Sequence, residues 1–346
     1  MGVVSRARAT LSDLLAEQFG AFATAAPSAP GAQLATPDAA ALADRLITHV
    51  EAVLAVSVVA PRLCTVSAGV VCALELMDRR VVVVKLHPAR TDQAVLDAMH
   101  RVQVHLGRNG FPCPAPLCSA APIGDRLATI DAWLDDGGND FGEGAMQASA
   151  SGLARTVELA RSLDLVGAFV PATMARRRGV AYPDPHSPIF DFTRPDPRVA
   201  FIDRLNDRAI AVIDALDAEQ VVIHGDWSAR NVRFGPEGLR GAYDWDSLIA
   251  LPECIGVGIA AATWRSFGEG HDAIAPDLDE ALAYLAAYEG AAERPFSGAE
   301  HHAAIAQVVH TLCYTARCEV SLGPGHPTRA IGRLERSGAQ FAAACG

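Results

Sequence analysis

Between residues 221 and 248 the chain runs VVIHGDWSARNVRFGPEGLRGAYDWDSL. Asp226 is followed five residues later by Asn231 and, thirteen residues beyond that, by Asp244. Two carboxylates and a carboxamide offer hard oxygen donors, the kind Mg²⁺ takes when it shares its coordination with phosphates. A carboxylate in the same loop can also align a hydroxyl and accept its proton. The set predicts a phosphoryl-transfer centre, with Asp226 facing the acceptor and Asn231 and Asp244 supplying oxygens to the metal. If residues 244–246 are extended, Trp245 points away from that metal and Asp246 back toward it. His224 reads as a brace for the loop, since Asp226 already takes the proton, and Asp246 reads as a holder of Arg or backbone groups.

Such a centre needs a cation for the phosphates. Of 29 basic residues only Lys85 is lysine, so a compact ammonium on a slim stem stands where arginine is used everywhere else. It lies near the end of VVVVKLH, the second strand of a hairpin whose first strand, TVSAGVVCALEL, is entered through Ser67, Ala68 and Gly69. Backbone amides at Ser67 and Gly69 are placed to meet phosphate oxygens, although one glycine there also suits an ordinary turn.

The remaining elements fall around these two segments. Residues 1–37 hold a short amphipathic piece and an Ala-Pro-rich linker, and Thr36 with Pro37 predicts the start of a helix running through DAAALADRLITHVEAVLAV. A helical stripe at Val95, Met99, Val102 and Leu106 follows the hairpin, then the extended crossing FPCPAPL and a strand, RLATI. DDGGNDFGEG forms a hinge, after which the pattern is helical at 150–165, 198–216, 253–265, 278–290, 299–320 and 327–344. A long Pro-rich loop with Arg176 to Arg178 separates the first two of these helices. The expected division is an extension and linker at 1–37, a β-rich lobe at 38–130 and a helical lobe at 131–346.

Composition narrows the function. Half the residues are apolar and a fifth are charged, enough for packed interiors in a chain of 346 residues. Residues 1–130 carry a net charge of +1 and residues 131–346 a net charge of −12. An acidic second part disfavours nucleic acid and favours a cationic ligand or a divalent metal, beside the plainer reading of a solvated acidic surface. Eight cysteines lie scattered without metal-ligand spacing, so reduced structural thiols are expected. Neither a membrane span nor an apolar leader is visible, and a cytoplasmic location is the expectation.

The pattern HxDxxxxN followed by Asp thirteen residues later resembles the catalytic and metal-binding segments of the protein-kinase-like superfamily, and HGDWSARN with YDWDS resembles its aminoglycoside phosphotransferase and choline kinase branch. The resemblance covers roughly residues 60 to 320, with the central stretch and Lys85 as its specific parts. It implies an α+β, two-lobed protein-kinase-like fold, Mg·ATP as phosphoryl donor, Asp226 as catalytic base, Asn231 and Asp244 as Mg²⁺ ligands, and Lys85 on the α- and β-phosphates. One departure stands out: the helix at 92–108 contains no Glu to pair with the lysine, and Asp97 and Gln103 are its polar candidates. The function expected is phosphorylation of a small-molecule hydroxyl, with an aminoglycoside-like cationic acceptor and Glu253, Glu269 and Asp272 as its contacts. A metabolic kinase of choline, a homoserine-like alcohol, a sugar or a macrolide is the alternative, and an ATP-binding pseudokinase a further one. Few aromatic residues count against a choline cage.

Overall fold

The computed structural model describes residues 3–25, 38–67, 69–134, 144–169, 178–187, 189–235, 237–266, 275–323 and 329–345. They fall into two compact units, one of Met1–Gly107, Pro114–Asp135 and Ser187–Ile189, the other of the remainder.

The first unit is built on an antiparallel five-stranded sheet in the order β1-β2-β3-β5-β4: β1 (Val58–Val66), β2 (Val70–Leu76), β3 (Val81–Leu86), β4 (Ala121–Ile123) and β5 (Arg126–Ala132). Sequence patterning misses β1 because Pro61 interrupts it. The strand tolerates that proline because it lies at the sheet edge, where the register shifts between Pro61 and Leu63. Alternation along β3 sends Val82, Val84 and Leu86 into a core shared with helices α1 (Val3–Ala25) and α2 (Ala39–Leu54). Lys85 therefore lies on the opposite face, opposite Val71 of β2 and Thr129 of β5 in register.

Residues 3–25 do more than extend the chain. Ala7, Leu11 and Leu15, spaced by four, are buried in the sheet core, which a helix with one apolar stripe must do to hide that stripe. Helix α2 starts two residues later than its sequence suggests. Its cap is Asp38, whose carboxylate accepts from the amides of Ala40 and Ala41 at 2.9 and 3.0 Å, while Thr36 and Pro37 lie outside the described residues. In α3 (Gln93–Arg108) the buried stripe is Leu96, Met99, Val102, Gln103 and Leu106, so Gln103 is interior whereas Asp97 is exposed.

The second unit is mainly helical: α4 (Ala145–Arg161), α5 (Val199–Ala215), α6 (Glu253–Thr263), α7 (Leu278–Glu289), α8 (Gly298–Leu322) and α9 (Arg329–Ala344). Helix α8 is central, packing against α5, α6 and α9, and both α7 and α8 open with a capping box, Asp277/Glu280 and Ser297/Glu300. Two small ladders complete the unit, β6 (Gln220–His224) with β9 (Leu248–Pro252), and β7 (Val232–Gly235) with β8 (Gly238–Ala242). Of the Arg176 to Arg178 triplet only Arg178 is described, donating to the Asp214 carbonyl. Among the described residues no helix is long and apolar enough to cross a membrane.

If α1 is part of the first unit's core, Leu15→Ala should cost about 2–5 kcal/mol, as buried Leu truncations do. Chemical denaturation would show this as a lowered midpoint; an unchanged midpoint would mean that α1 is dispensable.

Candidate active site

The central stretch of the sequence forms the ends of the two small ladders. β6 pairs with β9 so that His224 faces Leu248, and the next amide, Gly225 N–H, donates to Ser247 O at 2.8 Å. The β7–β8 hairpin places Val232 opposite Ala242, and Tyr243 N–H donates to Asn231 O at 2.8 Å. Residues far apart in sequence are thereby laid side by side: Asp226 and Asn231 on one loop, Asp244 on the other.

His224 ties the two loops together. Its Nε2 lies 2.9 Å from the Tyr243 carbonyl, which can only accept, so the ring proton is on Nε2. Nδ1 is then an acceptor, and Asp226 N–H donates to it at 3.3 Å. Trp227 and Trp245 hold the imidazole edge-on at centroid distances of 5.5 and 5.4 Å, and each indole N–H is anchored, Trp227 to Ser149 and Trp245 to the Ala242 carbonyl. With both ring nitrogens used in this way His224 is a brace.

The Asn231 amide nitrogen donates to the Asp226 carbonyl at 2.9 Å and to Asp226 Oδ2 at 2.8 Å. Arg230 approaches the same Oδ2 at 3.7 Å. Oδ1 is thus the carboxylate oxygen that faces neither group. Because the nitrogen of Asn231 is turned to Asp226, its oxygen is the atom presented for a cation.

Asp244 adopts φ 60° and ψ 45°, a left-handed conformation that Asp tolerates better than most side chains. That turn starts a short 3-10 segment at Trp245–Ser247, stabilised by Ser247 N–H to Asp244 O at 3.0 Å and Ser247 Oγ–H to Asp244 Oδ2 at 2.9 Å. The alternation expected for residues 244–246 fails for this reason: the segment is turned, not extended, and Trp245 is buried by its own packing. The donor set fits Mg²⁺. Among the described residues no three His, Cys, Asp or Glu side chains cluster as a self-sufficient metal cage, and Mg²⁺ needs none when phosphates supply the other oxygens.

The residues expected on the nucleotide side belong to the first unit. Ser67 and Gly69 turn β1 into β2, with Ser67 N–H donating to Gly69 O at 2.9 Å. A Cβ on Gly69 would sit 2.6 Å from the Leu86 carbonyl oxygen, one residue past Lys85, so only glycine lets this turn lie against β3. On α3, Asp97 accepts from its neighbour Gln93, while Gln103 donates to the Pro114 carbonyl at 3.2 Å and to Asp131 Oδ1 of β5 at 3.4 Å.

Glu253 is not available to an acceptor. It is 8% exposed at the start of α6, its carboxylate engaged by Arg161 and by the Tyr288 hydroxyl at 2.7 Å. Glu269 and Asp272 lie outside the described residues. His186, in the Pro-rich loop, was not singled out by sequence. Its Nδ1 lies 2.7 Å from the Tyr314 hydroxyl of α8, and its ring contacts Phe190 at 4.8 Å. The surrounding rings desolvate it and the Arg230 charge lowers its pKa further, while Asp226 acts in the opposite direction. The only signal in the sequence was the YPDPHSPIF loop itself, too long to be a plain connection.

Gly225 tests the loop junction. A Cβ there would lie 2.9 Å from Ser247 O and 3.0 Å from Ile249, so Gly225→Ala should push Asp226 away from the Asp244 loop. Phosphoryl transfer is expected to fall by about 10²-fold, the usual effect of a displacement near 1 Å. Full activity would show that this contact does not set the loop geometry.

A model of the phosphotransferase enzyme family, APH, matches residues 71–294. Nothing among curated protein sequences matches the chain. Among solved structures it is similar to an amicoumacin kinase in complex with AMP-PNP, Ca²⁺ and Ami (TM-score 0.56, 12% identity, 81% of this chain and 87% of that one). It is similar also to a spectinomycin phosphotransferase in complex with ADP and spectinomycin (TM-score 0.54, 13% identity, 87% and 98%). An aminoglycoside phosphotransferase from Alicyclobacillus acidocaldarius subsp. acidocaldarius gives a TM-score of 0.52 at 14% identity over 82% and 90% of the two chains. At these identities the likeness establishes the kinase-like fold. The family match spans well over half of the chain and includes Lys85, Asp226, Asn231 and Asp244, so the chain belongs to the phosphotransferase enzyme family and is an ATP-dependent kinase of small-molecule hydroxyl groups.

Proposed function

We propose that the chain transfers the γ-phosphoryl group of Mg·ATP to a hydroxyl of a cationic, aminoglycoside-like small molecule. The observation that carries this reading is the hydrogen bond of Asn231 Nδ2 to Asp226 Oδ2 at 2.8 Å, which divides the labour of the loop. One oxygen of Asp226 is held in place, and Oδ1 is left to accept a hydrogen bond from the acceptor hydroxyl. As the acceptor oxygen bonds to phosphorus and the bond to the ADP leaving oxygen breaks, the hydroxyl proton passes to Asp226. Asn231 and Asp244 would hold Mg²⁺, which when bound neutralises charge on the transferred and leaving phosphate oxygens. Lys85 is assigned to the α- and β-phosphates, with the Gly69 amide as a further donor; the Ser67 amide, expected to join it, is instead taken up by the Gly69 carbonyl within the turn.

The excess of acidic residues after position 131 supports a cationic acceptor. A second reading, an uncharged ring-bearing acceptor such as a macrolide, is favoured by the rings of Phe190 and Tyr314 gathered around His186, which itself feels the charge of Asp226. Cationic antibiotics, amino alcohols and macrolides presented with Mg·ATP separate the two. Scattered cysteines without metal spacing support the cytoplasm as the compartment.

Asp226→Asn is the direct test. It should leave Mg·ADP binding within about twofold of wild type and reduce transfer by about 10²–10⁴-fold, the range of general-base loss. A variant that still phosphorylates at the wild-type rate would remove Asp226 from the chemistry and favour a different base.

Asp244→Asn keeps a side chain that accepts φ near 60° but removes the anionic oxygen. Its melting temperature should stay close to that of wild type, while the Mg²⁺ dependence of nucleotide binding, followed by titration calorimetry, should weaken by about tenfold or more. Unchanged Mg²⁺ dependence would exclude Asp244 as a ligand.

A further inference from the structure

We propose that Cys64 and Cys72 form a redox-modification site, a dithiol that hydrogen peroxide converts into a disulfide across the two strands flanking the Ser67–Gly69 turn. Cys64 on β1 and Cys72 on β2 are direct register partners, and their Sγ atoms lie 3.2 Å apart. Directly opposed residues of antiparallel strands have Cα atoms about 4.5–5.5 Å apart, inside the range of about 4.4–6.8 Å that disulfides span. Closing the bond brings the sulfurs to about 2.05 Å and requires side-chain rotation without a change of register.

The two thiols are not equivalent. The hydrogen bond between them lowers the pKa of Cys64 and raises that of Cys72, so Cys64 is the nucleophile and Cys72 holds the shared proton. Cys64 is 7% exposed and lies on the edge strand, whereas Cys72 is 0% exposed. Hydrogen peroxide, hardly larger than water, is therefore the fitting oxidant. The Cys64 thiolate attacks one peroxide oxygen, the O–O bond breaks, the leaving oxygen departs protonated as water, and Cys64 becomes a sulfenic acid. The Cys72 sulfur then attacks the Cys64 sulfur, and the S–OH bond breaks with the Cys72 proton leaving in a second water. Two thiols and one peroxide thus give one disulfide and two waters.

The pair stands two ladder steps from the turn, below Thr65↔Val71 and Val66↔Val70. Drawing the sulfurs together on the core face changes the twist of the hairpin that carries Ser67 and Gly69. A consequence for nucleotide affinity rests on the assignment of that turn to ATP phosphates; formation of the disulfide does not.

The full chain is exposed to hydrogen peroxide, quenched with iodoacetamide in denaturant and digested with trypsin, which places both cysteines on one peptide, Leu63–Arg79. The expected peptide carries no alkyl group, is about 2 Da lighter than the dithiol form and regains both alkylation sites after dithiothreitol. Cys72→Ser should stop at a dimedone-reactive sulfenic acid on Cys64. Doubly alkylated Leu63–Arg79 after Cys113 or Cys118 has been oxidised would overturn the proposal. Mg·ADP affinity should change about fivefold on oxidation, reversibly, and not in Cys64→Ser. An unchanged affinity with the disulfide formed would overturn the link to the turn, and reduced protein that binds no Mg·ADP would instead count against the kinase assignment of that turn.

Discussion

The two-sided hydrogen bonding of His224 is the constraint on which the site depends. A neutral imidazole donating to the Tyr243 carbonyl and accepting from Asp226 N–H makes the position of the Asp226 loop and that of the Asp244 loop a single geometric fact. The bond from Asp226 N–H would not survive if the ring were doubly protonated, because Nδ1 would then be a donor facing another donor, while the bond to the Tyr243 carbonyl would remain. The flanking Trp227 and Trp245 add ring contacts and exclude water, and their own indole bonds fix them to α4 and β8. Asp226 can therefore remain about 29% exposed, open to an acceptor, while everything behind it is packed.

Much of the proposed site could be recognised before any coordinates. Asp226, Asn231 and Asp244 stand at spacings that two short hairpin-like ladders convert into proximity, and the single lysine stood out because every other basic residue is arginine. Other features could not be recognised in this way. The left-handed turn at Asp244 replaces strand alternation by a 3-10 turn, and nothing in the YDWDS string distinguishes the two. Edge strand β1 was hidden by Pro61, and Gln103, expected to avoid the apolar stripe, lies within it because a one-position rotation of the α3 stripe decides whether it faces in or out. Glu253 illustrates the opposite error: an acidic residue in an acidic region suggested a ligand contact, yet Arg161 and Tyr288 from distant helices consume its carboxylate.

The first unit shows how the hairpin that carries Lys85 is supported from behind. Val82, Val84 and Leu86 point into a core closed by α1 and α2, which leaves Lys85, on the alternate register, on the other face of β3. The same core face contains Cys64 and Cys72, so its packing and its redox chemistry act on one hairpin. In the second unit α8 has the corresponding role. It bears Tyr314, which fixes His186, and His310, whose Nδ1 lies 2.7 Å from the Asn206 side-chain oxygen of α5.

The pH dependence of phosphoryl transfer in wild type and His224→Gln tests the role of this brace most directly. If His224 positions Asp226 and takes no proton, the substitution lowers the rate, because an amide cannot reproduce both bonds at imidazole geometry, and leaves the acid limb of the kcat/KM profile where it was. An acid limb that disappears with His224 would show that the imidazole itself handles the proton, and the assignment of that role to Asp226 would be contradicted.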